Sequence, residues 1–185
     1  MEAMLLHFED EAPEARRLAQ AAGLARAQIS RCASTKNELG LDLPPVLPRQ
    51  VALYRNFANA TDVGAASHSQ YLLELLLFER LASRQGVSHL MLVAPYLGKG
   101  LSQDRDSIRV QALEGFLAGL FDVVLTVDPA LSAVSSLGER LPLHHALLPD
   151  GSSGGRDDWS SGRGEEGDPQ LLSRLGLALR NLYPH

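Results

Sequence analysis

Between His89 and Val127 the chain passes from one apolar run through a helical pattern into another apolar run, and this order limits the fold more than any other feature. His89–Leu97 is almost continuously apolar, as a strand covered on both faces must be. Ser107–Gly119 then repeats apolar residues at helical spacing through Ile108, Ala112, Phe116 and Leu117. Val123–Val127 is a second buried strand, ended by Asp128-Pro129. Upstream, Val51–Phe57 reads as a strand and Asn59–Gly64 as a loop. Ser67 or Ser69 would cap a helix that runs to about Gln85 and stops at Gly86. Strand, helix, strand, helix and strand in this order predict parallel strands joined by right-handed crossovers. The expected class is α/β, with a parallel-rich sheet and flanking helices.

The flanks extend the pattern less cleanly. Ala12–Gly23 predicts a helix, with Pro13 in its first turn and Ala15, Leu18, Ala19 and Ala22 on one face. Ala25–Cys32 predicts a strand. Pro44, Pro45 and Pro48 make Leu39–Pro48 a turn or an edge, because proline cannot donate to a sheet ladder. Downstream, every residue from Asp150 to Asp168 except Trp159 is Gly, Ser or charged. Such a stretch predicts a flexible linker. Gln170–Leu182 follows with Leu171, Leu175, Ala178, Leu179 and Leu182 in one stripe, an amphipathic helix in need of a surface. The expected organisation is an α/β domain over 1–149, a linker over 150–168 and a tail helix over 169–185.

Size and charge narrow the function classes. A chain of 185 residues with 45% hydrophobic content supports one ordinary α/β domain, or one domain plus a tail, but not two full domains. Lys+Arg 17 against Asp+Glu 22 leaves no basic footprint for nucleic acid or an anionic membrane. Cys32 stands alone and makes no internal disulfide; it reads as a small buried hydrophobe. The N-terminus is acidic where a signal peptide is basic, and the longest apolar runs fall short of a membrane span. A soluble cytoplasmic protein is expected.

Ligands of open parallel sheets bind beyond the carboxyl ends of the strands. One such end is Ala94–Leu97 leading into Gly98-Lys99-Gly100-Leu101-Ser102-Gln103-Asp104-Arg105. Its spacing is not that of a Walker loop, since Val93 and Gly100 stand where a Gly and a Ser or Thr are required. An exposed turn is the ordinary reading of that loop, with an anion at Lys99 as the functional one. The other end is Thr126-Val127-Asp128-Pro129, where Asp128 suits a metal or ribose hydroxyl, or simply a turn. The six histidines form no chelating pair, and no serine stands in a hydrolase elbow.

Taken together, Gln70–Leu77 (QYLLELLL), Val93–Arg105 (VAPYLGKGLSQDR) and Leu117–Leu131 (LAGLFDVVLTVDPAL) resemble the N-terminal domain of the phosphoribosyl pyrophosphate synthetases, the ribose-phosphate pyrophosphokinases. The order and spacing match over about Leu39 to Pro149. The resemblance implies a type I phosphoribosyltransferase-like fold and a link to nucleotide precursor synthesis. Its enzymes transfer the pyrophosphoryl group of Mg-ATP to the 1-hydroxyl of ribose 5-phosphate, chemistry that rests on positioning and cationic charge. Carried over residue by residue, it implies nucleotide contacts at Gln103, Asp104 and Glu38, and a magnesium ligand at Asp128. Mg and ATP or ADP are the implied cofactors. The implied partners are further copies of the chain or a synthetase subunit.

The sequence also departs from that family. Ser102 stands where the family has the Arg of Arg-Gln-Asp, and Ala130 where it has a His. Ser34–Glu38 replaces Phe-Pro-Asp-Gly-Glu and keeps only the Glu, and the loop between Asp106 and Ile108 is shorter. The family's ribose-phosphate loop has only a faint echo at Asp157–Gly164, without its threonines. No catalytic residue is assigned, and the expectation is a chain that does not catalyse alone. It would bind nucleotide or regulate a partner. The alternatives are a non-enzymatic assembly module and a decayed remnant of a synthetase.

Overall fold

The computed structural model describes residues 3–33, 39–57, 68–95, 97, 108–126, 143–145 and 169–182. In chain order these form β1 (Ala3–Phe8), a single 3-10 turn (Glu9–Glu11), α1 (Ala12–Ala22), β2 (Ala25–Ala33), β3 (Leu39–Asp42) and β4 (Gln50–Tyr54). There follow α2 (His68–Arg84), β5 (His89–Val93), α3 (Ile108–Ala118), β6 (Val123–Thr126), β7 (Leu143–His145) and α4 (Pro169–Leu182). The strands pair in the order β3-β2-β1-β4-β5-β6-β7. Every pairing is parallel except β2 with β3.

Strand alternation divides the core into two layers. Leu6, Phe8, Ile29, Val51, Leu53, Leu92 and Val124 face α2 and α3, meeting Tyr71, Leu75, Phe78 and Leu117. Leu5, Ala52, Tyr54, Met91, Val93 and Leu125 face the opposite way, toward α1 and α4. The register fixes this division, for Leu6 lies opposite both Ala27 and Leu53, and a slip of one residue would exchange the faces. The fold is therefore α/β, a mostly parallel sheet with helices on both faces, as expected from the alternation in the sequence; among the described residues two helices lie on each side.

Several elements differ from expectation. β1, which lies inside the sheet between β2 and β4, was not anticipated, and neither was β7. β5 ends at Val93 rather than Leu97, and β4 at Tyr54 rather than Phe57. In both, buried apolar residues continue past the last ladder bond, so hydrophobicity overstates the strand. Ser69 is inside α2 rather than at its cap. The prolines follow an edge strand, as their chemistry requires. Cys32 is exposed, not buried, because it lies on β2 next to that edge. Gly23 closes α1 in the left-handed region at φ 71°, where a side chain would be strained. Asn59–Gly64, Ser67 and the linker at 150–168 lie outside the described residues.

The tail helix finds its surface on its own chain. Leu171, Leu172, Leu175 and Leu179 of α4 are buried beside Ala15, Leu18, Ala19 and Ala22 of α1. The two helices come into close contact at Gly176. A Cβ there would overlap the Cβ of Ala21 and fall 3.1 Å from the carbonyl oxygen of Leu18. Gly176→Val is expected to cost about 1–3 kcal/mol by overpacking. Ala21→Gly in the same chain should recover part of that loss, as read from urea midpoints.

Candidate functional site

β1 connects to β2 on one side of the sheet while β4 begins the run on the other, so the topological switch lies between β1 and β4. Glu9-Asp10-Glu11 leave the end of β1, and Arg55-Asn56-Phe57 leave the end of β4. α2 crosses above both and presents Glu74 and Tyr71.

Arg55 is the centre of this site and is fully buried. Its Nη2 donates to Glu74 Oε2 at 2.5 Å. Its Nη1 lies 3.2 Å from Glu11 Oε2 and 3.5 Å from Asp10 Oδ2. The guanidinium is stacked between two rings, 3.6 Å from the centroid of Tyr71 and 4.4 Å from that of Phe8. Arg31 approaches from β2, giving its Nε to Glu74 Oε1 at 2.7 Å and its Nη1 to Asp10 Oδ1 at 3.0 Å. Gln70 adds a donor to Glu74 Oε1 at 3.2 Å, and the Asn56 amide donates to Glu11 Oε1 at 2.7 Å. Two enclosed atoms, Glu11 Oε2 and Arg55 Nε, have no hydrogen bond.

Two guanidinium groups thus face three carboxylates, and the titrations follow from that imbalance. Burial raises the Glu11 carboxyl to about 7, against the pull of Arg55 and the Asn56 amide. Burial would also raise Asp10, but the Arg31 hydrogen bond and the charges of Arg55 and Arg31 outweigh it and hold Asp10 below its ordinary value. Burial raises the Tyr71 hydroxyl, with Arg55 opposing. Arg31 is raised despite burial, through its bonds to Glu74 and Asp10.

Glu11 sets a pH dependence with a definite sign. Its folded value of about 7 is above the ordinary 4.5, so between these the folded chain binds more protons than the unfolded chain. Its contribution to stability is complete below pH 4.5 and is lost as pH rises through about 7. A shift of this size corresponds to about 3 kcal/mol. Urea unfolding across that window should show stability falling with pH, and Glu11→Gln should flatten the slope.

The position that would take a ligand between β1 and β4 is therefore filled by the protein's own charges. Among the described residues no group of His, Cys, Asp and Glu suits a metal ion, and the carboxylates here are committed to Arg55 and Arg31. His7 is a satisfied core histidine, with Nδ1 against the Phe8 carbonyl at 2.8 Å and Nε2 facing Arg26 at 3.2 Å. In this arrangement Nδ1 carries the proton.

A second pair of strand ends lies further along the same edge. The Ala94 amide donates to the Leu125 carbonyl at 2.9 Å, and Thr126 Oγ1 donates to the Pro95 carbonyl at 3.3 Å. The loops leaving β5 and β6 therefore start side by side. Gln103 and Asp104 belong to the first loop in sequence and Asp128 to the second, while Glu38 lies between β2 and β3. All four, with Lys99, Ser102 and Ala130, are outside the described residues. The buried cluster was not foreseen. Its one sequence signal is Glu74, a carboxylate amid the leucines of α2 on the face shared with Tyr71, Leu75 and Phe78.

No protein-family model matches this chain, and no curated protein matches it in sequence. In fold it is similar to the crystal structure of phosphoribosylpyrophosphate synthetase from Mycobacterium smegmatis, with a TM-score of 0.57 and 13% identity. The match covers 78% of this chain and 48% of that one, so the chain spans about half the length of the structure it matches. The likeness is one of fold.

Proposed function

We propose that this chain is a divergent synthetase-like domain that binds a magnesium nucleotide beyond β5 and β6 and does not transfer pyrophosphate by itself. The observation that carries the reading is the joining of those two strand ends through Thr126 and Pro95. On this reading the family-like segments Gly98–Arg105 and Val127–Ala130, which follow these two strand ends in sequence, supply the site. Gln103, Asp104 and Glu38 are the residues for the nucleotide, and Asp128 is the residue for its magnesium. The filled switch point between β1 and β4 favours this second pair of strand ends over the first. The absence of the family's Arg at Ser102 and His at Ala130 favours binding without turnover.

Its role on this reading is to regulate or complete a partner in nucleotide precursor synthesis, as a homo-oligomer or beside a synthetase subunit in the cytoplasm. No helix among the described residues is long and apolar enough to cross a membrane. An assembly module is the second reading, favoured by Leu73, 45% exposed on α2, and Leu177, 55% exposed on α4.

Thermal unfolding with Mg-ADP tests the proposal. Ligand at about 100 times its dissociation constant adds about 2.7 kcal/mol, a shift of several degrees for a domain of this size. That shift is expected with Mg-ADP and Mg-ATP, together with no turnover of ATP and ribose 5-phosphate. Steady turnover by the chain alone would refute the non-catalytic part.

A further inference from the structure

The buried charges between β1 and β4 are tied to the loop of the proposed nucleotide site. The Arg55 amide donates to the Val93 carbonyl at 3.0 Å, at the last residue of β5. The next residue, Ala94, is bonded to Leu125 and begins the segment that contains Gln103 and Asp104. A shift at the end of β4 therefore reaches the start of that loop through a single backbone bond.

We infer that the cluster is a proton-operated latch: neutral Glu11 holds the turn Glu9–Glu11 against the end of β4, and ionised Glu11 releases it. The groups facing Glu11 come from every element packed there. Arg55 and the Asn56 amide, after β4, contact Glu11 directly, while Asp10 on the same turn and Tyr71 on α2 act on it electrostatically; Arg31 on β2 and Gln70 and Glu74 on α2 complete the cluster around Asp10 and Arg55. With Glu11 neutral, Asp10 and Glu74 balance Arg31 and Arg55. Loss of its proton to solvent sets a third carboxylate against the same two guanidinium groups. Arg55 Nη1, 3.2 Å from Glu11 Oε2, is already shared with Asp10, and its sister nitrogen is bonded to Glu74.

An unmatched charge in so enclosed a place is costly, and the cluster relieves it by moving its least confined part. Arg55 and Glu74 are fully enclosed, whereas the side chain of Asp10 on the turn is 46% exposed. Movement of the turn outward gives Glu11 access to water and breaks its bond with the Asn56 amide. The end of β4 then loses a support, and so does the exit of the loop after β5. The effect on nucleotide binding rests on the function proposed above. The latch itself does not.

Amide hydrogen exchange of the full chain, measured residue by residue from about pH 5.5 to about pH 8, tests it. After correction for the intrinsic rate, protection of the Asn56 amide should fall about tenfold or more across that range. Amides in the sheet interior such as Leu53 and Leu92 should change less, and Glu11→Gln should remove the difference. An equal fall at Asn56, Leu53 and Leu92 would mean a global loss of stability and would overturn the latch. So would no fall at Asn56. Should Glu11→Gln not fold, the Glu11 carboxyl titration in the wild-type chain decides by whether its midpoint coincides with that of Asn56 protection. Mg-ADP affinity measured over the same range separates the two ideas: exchange that follows pH with no ADP binding sinks the nucleotide reading and leaves the latch standing.

Discussion

Arg55→Met is expected to destabilise the chain by about 3–5 kcal/mol, the range for removing one partner from a buried ion pair. Methionine can still lie between Phe8 and Tyr71, so the loss of stacking volume is small. What changes is the charge. Glu74 keeps Arg31, but Glu11 loses its only nearby guanidinium among the described residues and Asp10 loses one of two. Protonation of Glu11 would moderate the loss, so the effect should be smaller below about pH 7 than above it. Urea unfolding at two pH values checks both the size and the sign. A loss under about 1 kcal/mol at high pH would mean that Arg55 is not the centre of the cluster.

The second large effect concerns α4. Leu175→Ala should cost about 2–5 kcal/mol, as for other fully buried leucines. Removing α4 altogether should be worse than any single substitution. It would uncover the apolar face of α1 and the part of the sheet layer that Leu171, Leu172, Leu175 and Leu179 help to bury. Such a continuous apolar surface leads to aggregation. The expected outcome is a chain that is insoluble or lacks a cooperative transition. A soluble shortened chain with an unchanged midpoint would mean that α4 is dispensable to the core.

The sequence made the middle of the fold legible because its short strands are apolar runs covered on both faces and its helices are bounded by turn signals such as Gly86 and Gly119. β1 escaped notice for a physical reason. Five of its six residues are buried, with Met4 half-buried, so they show no alternation, and they end directly in an acidic turn. β7 has only three residues, and its existence depends on pairing with β6 rather than on local preference. The tail helix could be read from its stripe, but its seat on α1 depends on residues far away in the chain. The same limit applies to the charged site. Arg55 meets Glu74 across 19 residues and Asp10 across 45, while Arg31 meets Glu74 across 43. Only tertiary structure brings them together. Glu74 alone could have been flagged, because a carboxylate on the apolar face of a helix requires a partner.

The topology agrees with the family resemblance at the level of fold. Pro95 and Thr126, the first residues of PYL and TVDP, lie at the carboxyl ends of the adjacent parallel strands β5 and β6 and are joined by a hydrogen bond, and the likeness to the synthetase structure is one of fold. The residue chemistry that the resemblance implies at those ends can be tested directly. Calorimetric titration of the full chain with Mg-ADP, beside a chain carrying both Gln103→Ala and Asp104→Ala, is the decisive measurement. Saturable binding by the first chain and none by the second is the expected result. No heat from the folded wild-type chain at millimolar Mg-ADP, or equal binding by both chains, would contradict a nucleotide site beyond β5 and β6.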